Sequence, residues 1–240
     1  MRSVVISQSM YFPWVGLLEQ IRLANIFVHY DDVQYTRGFY NRVQVKTAGG
    51  VRWMTVPLKD YHRGQLIEEV QIDSSQNWQE KHLKLITDAF KQCPFQNDAM
   101  ELMKSVFDHS PRTIGELSRQ SILALAEYFG LDANTQFADS NSLNVPGRSS
   151  QRLMDLTKKL SGDVYITGHG AKNYMDYDVF ETNNIEVRFM DYQHQPYPQQ
   201  HGDFTPFVTG LDLVANCGRE GTSFICSNTT HWKEFIDESA

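Results

Sequence analysis

Apolar positions along this chain change period repeatedly, and each change marks an element. Residues 4–6 (Val4, Val5, Ile6) are a short β-branched run that predicts a buried strand. After the polar turn Ser7-Gln8-Ser9 and the aromatic pair Tyr11-Phe12, Pro13 suits the first position of a helix, along which Val15, Leu18 and Ile21 recur at helical spacing. Residues 26–30 predict a second strand, and a connection of one helix makes the two strands parallel, joined by a right-handed crossover. Residues 42–46 and 52–56 flank Ala48-Gly49-Gly50 and predict an antiparallel hairpin, inserted near 39–57. Residues 65–72 predict a further strand. In a helical segment near 76–130, Trp78, Leu83, Ile86 and Phe90 mark one helix that Pro94 ends, and a broad apolar stripe from Ile114 to Phe129 marks another that Gly130 stops. Strands at 135–138, 164–167 and 185–190 and a helix at 149–160 then alternate. That alternation predicts an α/β fold, with an open, mainly parallel sheet between flanking helices, in one domain spanning 1–240.

Composition changes this picture little and narrows the partners. Hydrophobic residues make up 41% of 240 and charged residues 21%, enough for a sizeable buried core. A formal net charge of -7 and a pI near 5.6 argue against nucleic acid or an anionic membrane as the main partner. No window approaches the roughly 20 apolar residues of a membrane span, and residues 1–6 do not resemble a signal peptide, so a cytoplasmic protein without membrane insertion is expected. Cys93, Cys217 and Cys226 are an odd number at uninformative spacing and predict packed, reduced thiols.

Five constellations could carry chemistry. The turn from Ser7 to Gly16, with Tyr11 and Trp14, leads into a helix N-terminus that could hold phosphate or carboxylate, or could simply be packed. Asp31-Asp32 ends a strand, where α/β sheets present functional groups; alternation lets only one of the two enter a crevice, and an Asx turn is the plainer alternative. Arg42, Gln44 and Lys46 share a strand face that could grip phosphate or could be a charged edge. His169, between Gly168 and Gly170, could exchange a proton near neutral pH, with Lys172 and Tyr174 close by in sequence as ligand contacts. The run 192–212 interleaves amides, phenols and imidazoles, with Tyr197 and Gln199 suited to a hydroxyl-rich ligand such as a sugar. His194 and His201 lack metal-ligand spacing, so no metal ligands are assigned, and Asp212 could cap a helix or catalyse.

The segments Tyr11-Phe12-Pro13-Trp14-Val15-Gly16, 28–34 with Asp31-Asp32-Val33, Asn41-Arg42 through Lys46, Trp53-Met54-Thr55-Val56-Pro57, 165–174 and 197–218 together resemble the WbqC-like family. One departure is Ser7-Gln8-Ser9, where many members carry His-Gln-Pro. The resemblance implies a part in O-antigen or other surface-polysaccharide production alongside other enzymes of that biosynthesis, with an amino acid such as glycine joined to an amino sugar. A looser likeness to nucleotidyltransferase-like enzymes implies ATP-dependent carboxylate activation, although Phe12-Pro13-Trp14-Val15-Gly16 stands where their His-x-Gly-His signature would be. The expected function is therefore amide formation on a nucleotide-linked amino sugar. In its adenylating version ATP and Mg2+ are the cofactors, Arg42 and Lys46 hold phosphates, Asp31 or Asp32 positions the amine or the magnesium, and His169 moves a proton. The alternatives are a non-catalytic glycan-binding or scaffold protein and a glycosyltransferase using a nucleotide sugar.

Overall fold

The computed structural model describes residues 1–237. Strand β1 (Ser3–Ser7) leads through α1 (Val15–Leu23) into β2 (Ile26–His29). The hairpin β3 (Arg42–Thr47) and β4 (Gly50–Thr55) follows, then α2 (Trp78–Ala89), α3 (Gln96–Asp108) and α4 (Ile114–Tyr128). The second half runs β5 (Gln136–Asp139), α5 (Ser149–Lys159), β6 (Val164–Thr167), α6 (Tyr177–Thr182), β7 (Glu186–Asp191), α7 (Gly210–Cys217), β8 (Asn228–His231) and α8 (Trp232–Asp237). The main sheet has the order β5-β2-β1-β6-β7-β8; every neighbouring pair is parallel except β7 with β8. The hairpin β3-β4 is a separate antiparallel sheet.

Side-chain alternation explains the layers. On β1, Val5 packs into one core with Leu17, Leu18 and Phe27, while Val4 and Ile6 pack into a second core with Val28, Tyr165 and Phe189. Helices α1, α2, α3, α4 and α7 supply side chains to the first core; α5, α6 and α8 supply the second. Each fully buried aliphatic side chain contributes about 1.5–3 kcal/mol, and β1 alone buries three. The hairpin joins the first core through Val43, Val45 and Met54.

Three features differ from the sequence expectation. Residues 65–72 form no strand. Leu66 bridges Gln34, Ile72 bridges Leu58 and Gln71 bridges Thr113, so successive residues find different partners and no ladder can propagate. Helix α1 begins at Val15 rather than Pro13; Trp14 is its N-cap, and the Pro13 carbonyl instead accepts from Gly210 N at 2.6 Å. The antiparallel edge strand β8 is also absent from the sequence reading, because Asn228-Thr229-Thr230-His231 has no apolar alternation.

Helix α4 sits against the 65–72 segment because residue 115 is glycine. A Cβ at Gly115 would lie 2.8 Å from the Glu68 Cα, a backbone atom that cannot turn aside. Gly115→Ala is expected to cost about 1–3 kcal/mol through overpacking, read as a lower urea midpoint with an unchanged slope.

Candidate functional site

In the order β5-β2-β1-β6-β7 the chain moves outward from β1 in one direction and returns to the other side at β6. Such a switch point opens a crevice beyond the carboxyl ends of the two central strands. Here it is a cleft of about 760 Å3. Its floor is Ile6 and Ser7 from β1 and Thr167 from β6, with Gln8 and Gly168 just beyond the strand ends; Tyr30, Asp32 and Gln34 form one wall, and Gly147, Arg148, Ser149 and Arg152 form another.

That second wall is the start of α5. No side chain caps the helix, so its first-turn N–H groups and the positive end of its dipole stand at the cleft. Gly147 has φ +106° and Ser149 has φ +55°, a left-handed geometry that is uncommon for serine. The Arg148 side chain is exposed. Arg152 is buried, holds the Val145 carbonyl at 2.9 Å, pairs with Asp32 and lies 5.0 Å over the Tyr30 ring. Asp32 also accepts from Ser140 Oγ. It is the one carboxylate lining the cleft among the described residues.

Asp31 points the other way and is fully buried. Its oxygens accept from Ser9 N at 2.9 Å, Ser9 Oγ at 2.8 Å and Arg119 Nε at 2.7 Å. Arg119 also reaches Glu68 at 3.3 Å and Asp139 at 3.1 Å, so one guanidinium gathers three carboxylates from three segments. Behind them His29 Nδ1 lies 2.9 Å from Ser9 Oγ, and its Nε2 is buried without a partner. Because Ser9 Oγ gives its only proton to Asp31, His29 donates from Nδ1. Burial pushes the His29 imidazole down to about 4, with the charge of Asp31 acting in the opposite sense, so it is neutral at physiological pH. The network fixes the ends of β1, β2 and β5 relative to one another.

The remaining residues singled out from sequence are dispersed. Tyr174 lines the cleft with Asp32. His169 does not, although Gly168 and Gly170 on either side do. Its Nε2 donates to the Met190 carbonyl at 2.6 Å, and its ring lies 5.0 Å from Tyr192 and 4.8 Å from Phe235. Lys172 lies 5.9 Å from the Phe235 ring. The N-terminus of α1 is covered by aromatic rings: Trp14 lies 5.2 Å from Tyr192, 5.9 Å from His194 and 5.4 Å from Phe207. Gly16 serves this packing, since a Cβ there would meet the Trp14 indole at 2.2 Å. Tyr11 is buried, 3.0 Å from His82 Nδ1.

Lys46 and Arg42, expected to hold phosphate in a cleft shared with Asp31 and His169, both lie elsewhere. Lys46 Nζ is buried and donates to Gln199 Oε1 and the Gly202 carbonyl at 3.0 Å each, pinning the segment between β7 and α7 to the hairpin. Arg42 lines a different cavity. Tyr197 and Gln199 also face inward: Tyr197 Oη donates to Asp212 at 3.0 Å, and Gln199 holds Thr205 N at 2.9 Å. Burial raises Asp212 to about 6, against the lowering effects of the Tyr197 hydrogen bond and the Lys46 charge. The sequence reading passed over Arg148, Ser149 and Arg152. Gly147-Arg148-Ser149-Ser150, a glycine and an arginine at the start of a helix that follows a strand, was the available signal.

The model of the WbqC-like protein family matches residues 8–224, which include both walls of the cleft, the Arg119 network and the start of α5. The chain belongs to the WbqC-like family. Membership suggests a part in polysaccharide biosynthesis. A curated relative, the uncharacterized protein Rv1507c of Mycobacterium tuberculosis, is 31% identical over 229 residues, covering 94% of this chain and 98% of the relative. No solved structure matches the chain. Among the described residues of this WbqC-like chain, no helix is long and apolar enough to cross a membrane.

Proposed function

We propose that this chain is a transferase or ligase that joins an activated amino acid, such as glycine, to an amino sugar carried on a nucleotide, for a surface polysaccharide. The cleft at the switch point carries the reading. The uncapped start of α5 with Arg148 and Arg152 suits a diphosphate, through backbone donors, a helix dipole and guanidinium groups acting on one anion. Ser7, Gln8, Gln20, Gln34 and Thr167 offer hydroxyls and amides for a hydroxyl-rich sugar. Asp32, held by Arg152 and Ser140, is placed to orient the sugar amine and take its proton as the new C–N bond forms and the activating group leaves. A free carboxylate does not form an amide unaided, so the acyl donor is an adenylate made from ATP, a thioester or an aminoacyl-tRNA.

Calorimetry with a nucleotide-linked amino sugar tests the binding half. Arg148→Ala should weaken binding on the order of tenfold or more, as expected for a lost charged hydrogen bond, whereas Arg63→Ala on an exposed loop should not. Equal affinity in the Arg148 variant would count against the diphosphate site. Incubation with ATP, Mg2+ and a panel of amino acids, with and without the nucleotide sugar, tests the chemistry through pyrophosphate release and product mass. Parallel arms with thioester and aminoacyl-tRNA donors complete it, and no new amide in any arm removes the transferase reading.

A further inference from the structure

The loop from β2 to β3 separates two cavities. Val33 and Gln34 line the sheet-edge cleft; Tyr35, Arg37 and Gly38 line a second cavity of about 310 Å3, closed by Asn41, Arg42, Thr55, Val56, Pro57 and Leu58. Two arginines and no carboxylate line it. The other buried or half-buried arginines of this chain end on acceptors: Arg119 on Asp31, Arg152 on Asp32 and Arg188 on Glu186. Arg42 is the exception. It is half-buried, and its Nε is shielded from solvent with no acceptor. A donor left in that condition is costly unless something else fills the place.

The surroundings fix the group that fits. The Arg42 guanidinium carbon lies 4.3 Å from the centre of the Trp53 ring, a cation–π contact that leaves the guanidinium donors available to an acceptor. Trp53 is 43% exposed and packs 5.6 Å from Phe39, itself 40% exposed. The Tyr35 hydroxyl lies in the field of both Arg37 and Arg42 and spends its proton on Asn41 Oδ1 at 2.7 Å, so it cannot neutralise them. A planar fork with a second cation beside it matches a phosphate or carboxylate, and a half-exposed indole next to it matches the flat face of a sugar ring.

We propose that the cavity between Arg37 and Arg42 is a second binding site, separate from the sheet-edge cleft, for an oxyanion borne on a sugar: a sugar phosphate or an acidic sugar. It does not depend on the transferase reading, because none of its residues lines the cleft at α5.

The test is titration of the full chain with glucose 1-phosphate, glucuronate, inorganic phosphate and neutral glucose, followed by calorimetry and by tryptophan emission, with Trp53→Phe identifying the reporting ring. Saturable binding of the anions but not of glucose is expected, weakening with salt, and lowered on the order of tenfold or more by Arg42→Ala and by Arg37→Ala. Arg42→Lys, which keeps the charge and removes the fork, should fall between wild type and Arg42→Ala; circular dichroism melts verify that each variant is folded. Tighter binding of glucose 1-phosphate than of phosphate assigns the indole to the ring, and tighter binding of glucuronate assigns the site to acidic sugars. No saturable binding of any anion up to roughly 10 mM, the weak end of specific affinity, overturns the proposal. So does anion binding that survives Arg42→Ala and Arg37→Ala but is lost in Arg148→Ala.

Discussion

Asp31→Ala should unfold at a temperature roughly 6 to 12 °C below the parent, the largest single-residue effect expected outside the hydrophobic core. Asp31 is fully buried and accepts from Ser9 N, Ser9 Oγ and Arg119 Nε. Truncation leaves the Ser9 N–H without an acceptor in a site that water does not reach, and it removes the nearest of three carboxylates from Arg119. Breaking a buried ion pair by removing one partner costs about 3–5 kcal/mol. The lower end applies here, because Arg119 keeps Glu68 and Asp139 and is itself only partly buried. Asp31→Asn should recover part of the loss by supplying an amide oxygen to Ser9 N. Thermal and urea unfolding of both variants reads this directly, and a loss under about 1 kcal/mol for the alanine variant would show that the network does not anchor the sheet edge.

Acid should destabilise the fold well before its surface carboxylates titrate. Burial pushes His29 and His82 down to about 4, while histidines in the unfolded chain titrate near 6.5. As pH falls from 6.5 to 4 the unfolded state takes up protons that the folded state refuses, so the stability these residues confer near neutrality is lost in that window. Each shift corresponds to about 3 kcal/mol. Asp212 acts in the opposite sense. Its folded value of about 6 lies above that of an unfolded aspartate, so the folded state takes up its proton first and gains stability as pH falls through 6. One aspartate offsets about one histidine, and Glu19 and Glu68, also raised by burial, act in the same sense as Asp212, so the net loss between pH 6.5 and pH 4 is at most on the order of 3 kcal/mol. Urea unfolding across this range checks the sign and size. His82→Gln should flatten the profile and Asp212→Asn should steepen it; a profile flat from pH 7 to 4.5 contradicts the argument.

Legibility from sequence followed the range of the interaction. The central strands were readable because Val4-Val5-Ile6 and Val164-Tyr165-Ile166 are apolar on both faces, a local property. The hairpin followed from its glycines and α4 from its apolar stripe. The site was much less visible, because its parts meet only through topology: Arg119 reaches Asp31 across 88 residues and Arg152 reaches Asp32 across 120. Glycines on both sides of His169 implied an open imidazole, and the residue is exposed, although its Nε2 donates to the Met190 carbonyl. One other local signal pointed outward where the structure turns inward. The polarity of 192–212 implied a surface for a hydroxyl-rich ligand, yet Tyr197 and Gln199 turn their polar atoms to Asp212 and Lys46. A polar pattern marks solvent only when no buried partner is present, and the partners lay on other segments.

The place of β1 has a consequence for how the chain is made. Val5 lies beside Phe27 on one side and Ile166 on the other, so one neighbour is synthesised almost at once and the second only after two thirds of the polypeptide has emerged. During translation the nascent β1–α1–β2 unit carries a bare, strongly apolar ladder edge with no partner yet available. Closure of that gap is a late, high-contact-order event, and slow refolding with transient self-association at high concentration is its expected kinetic signature.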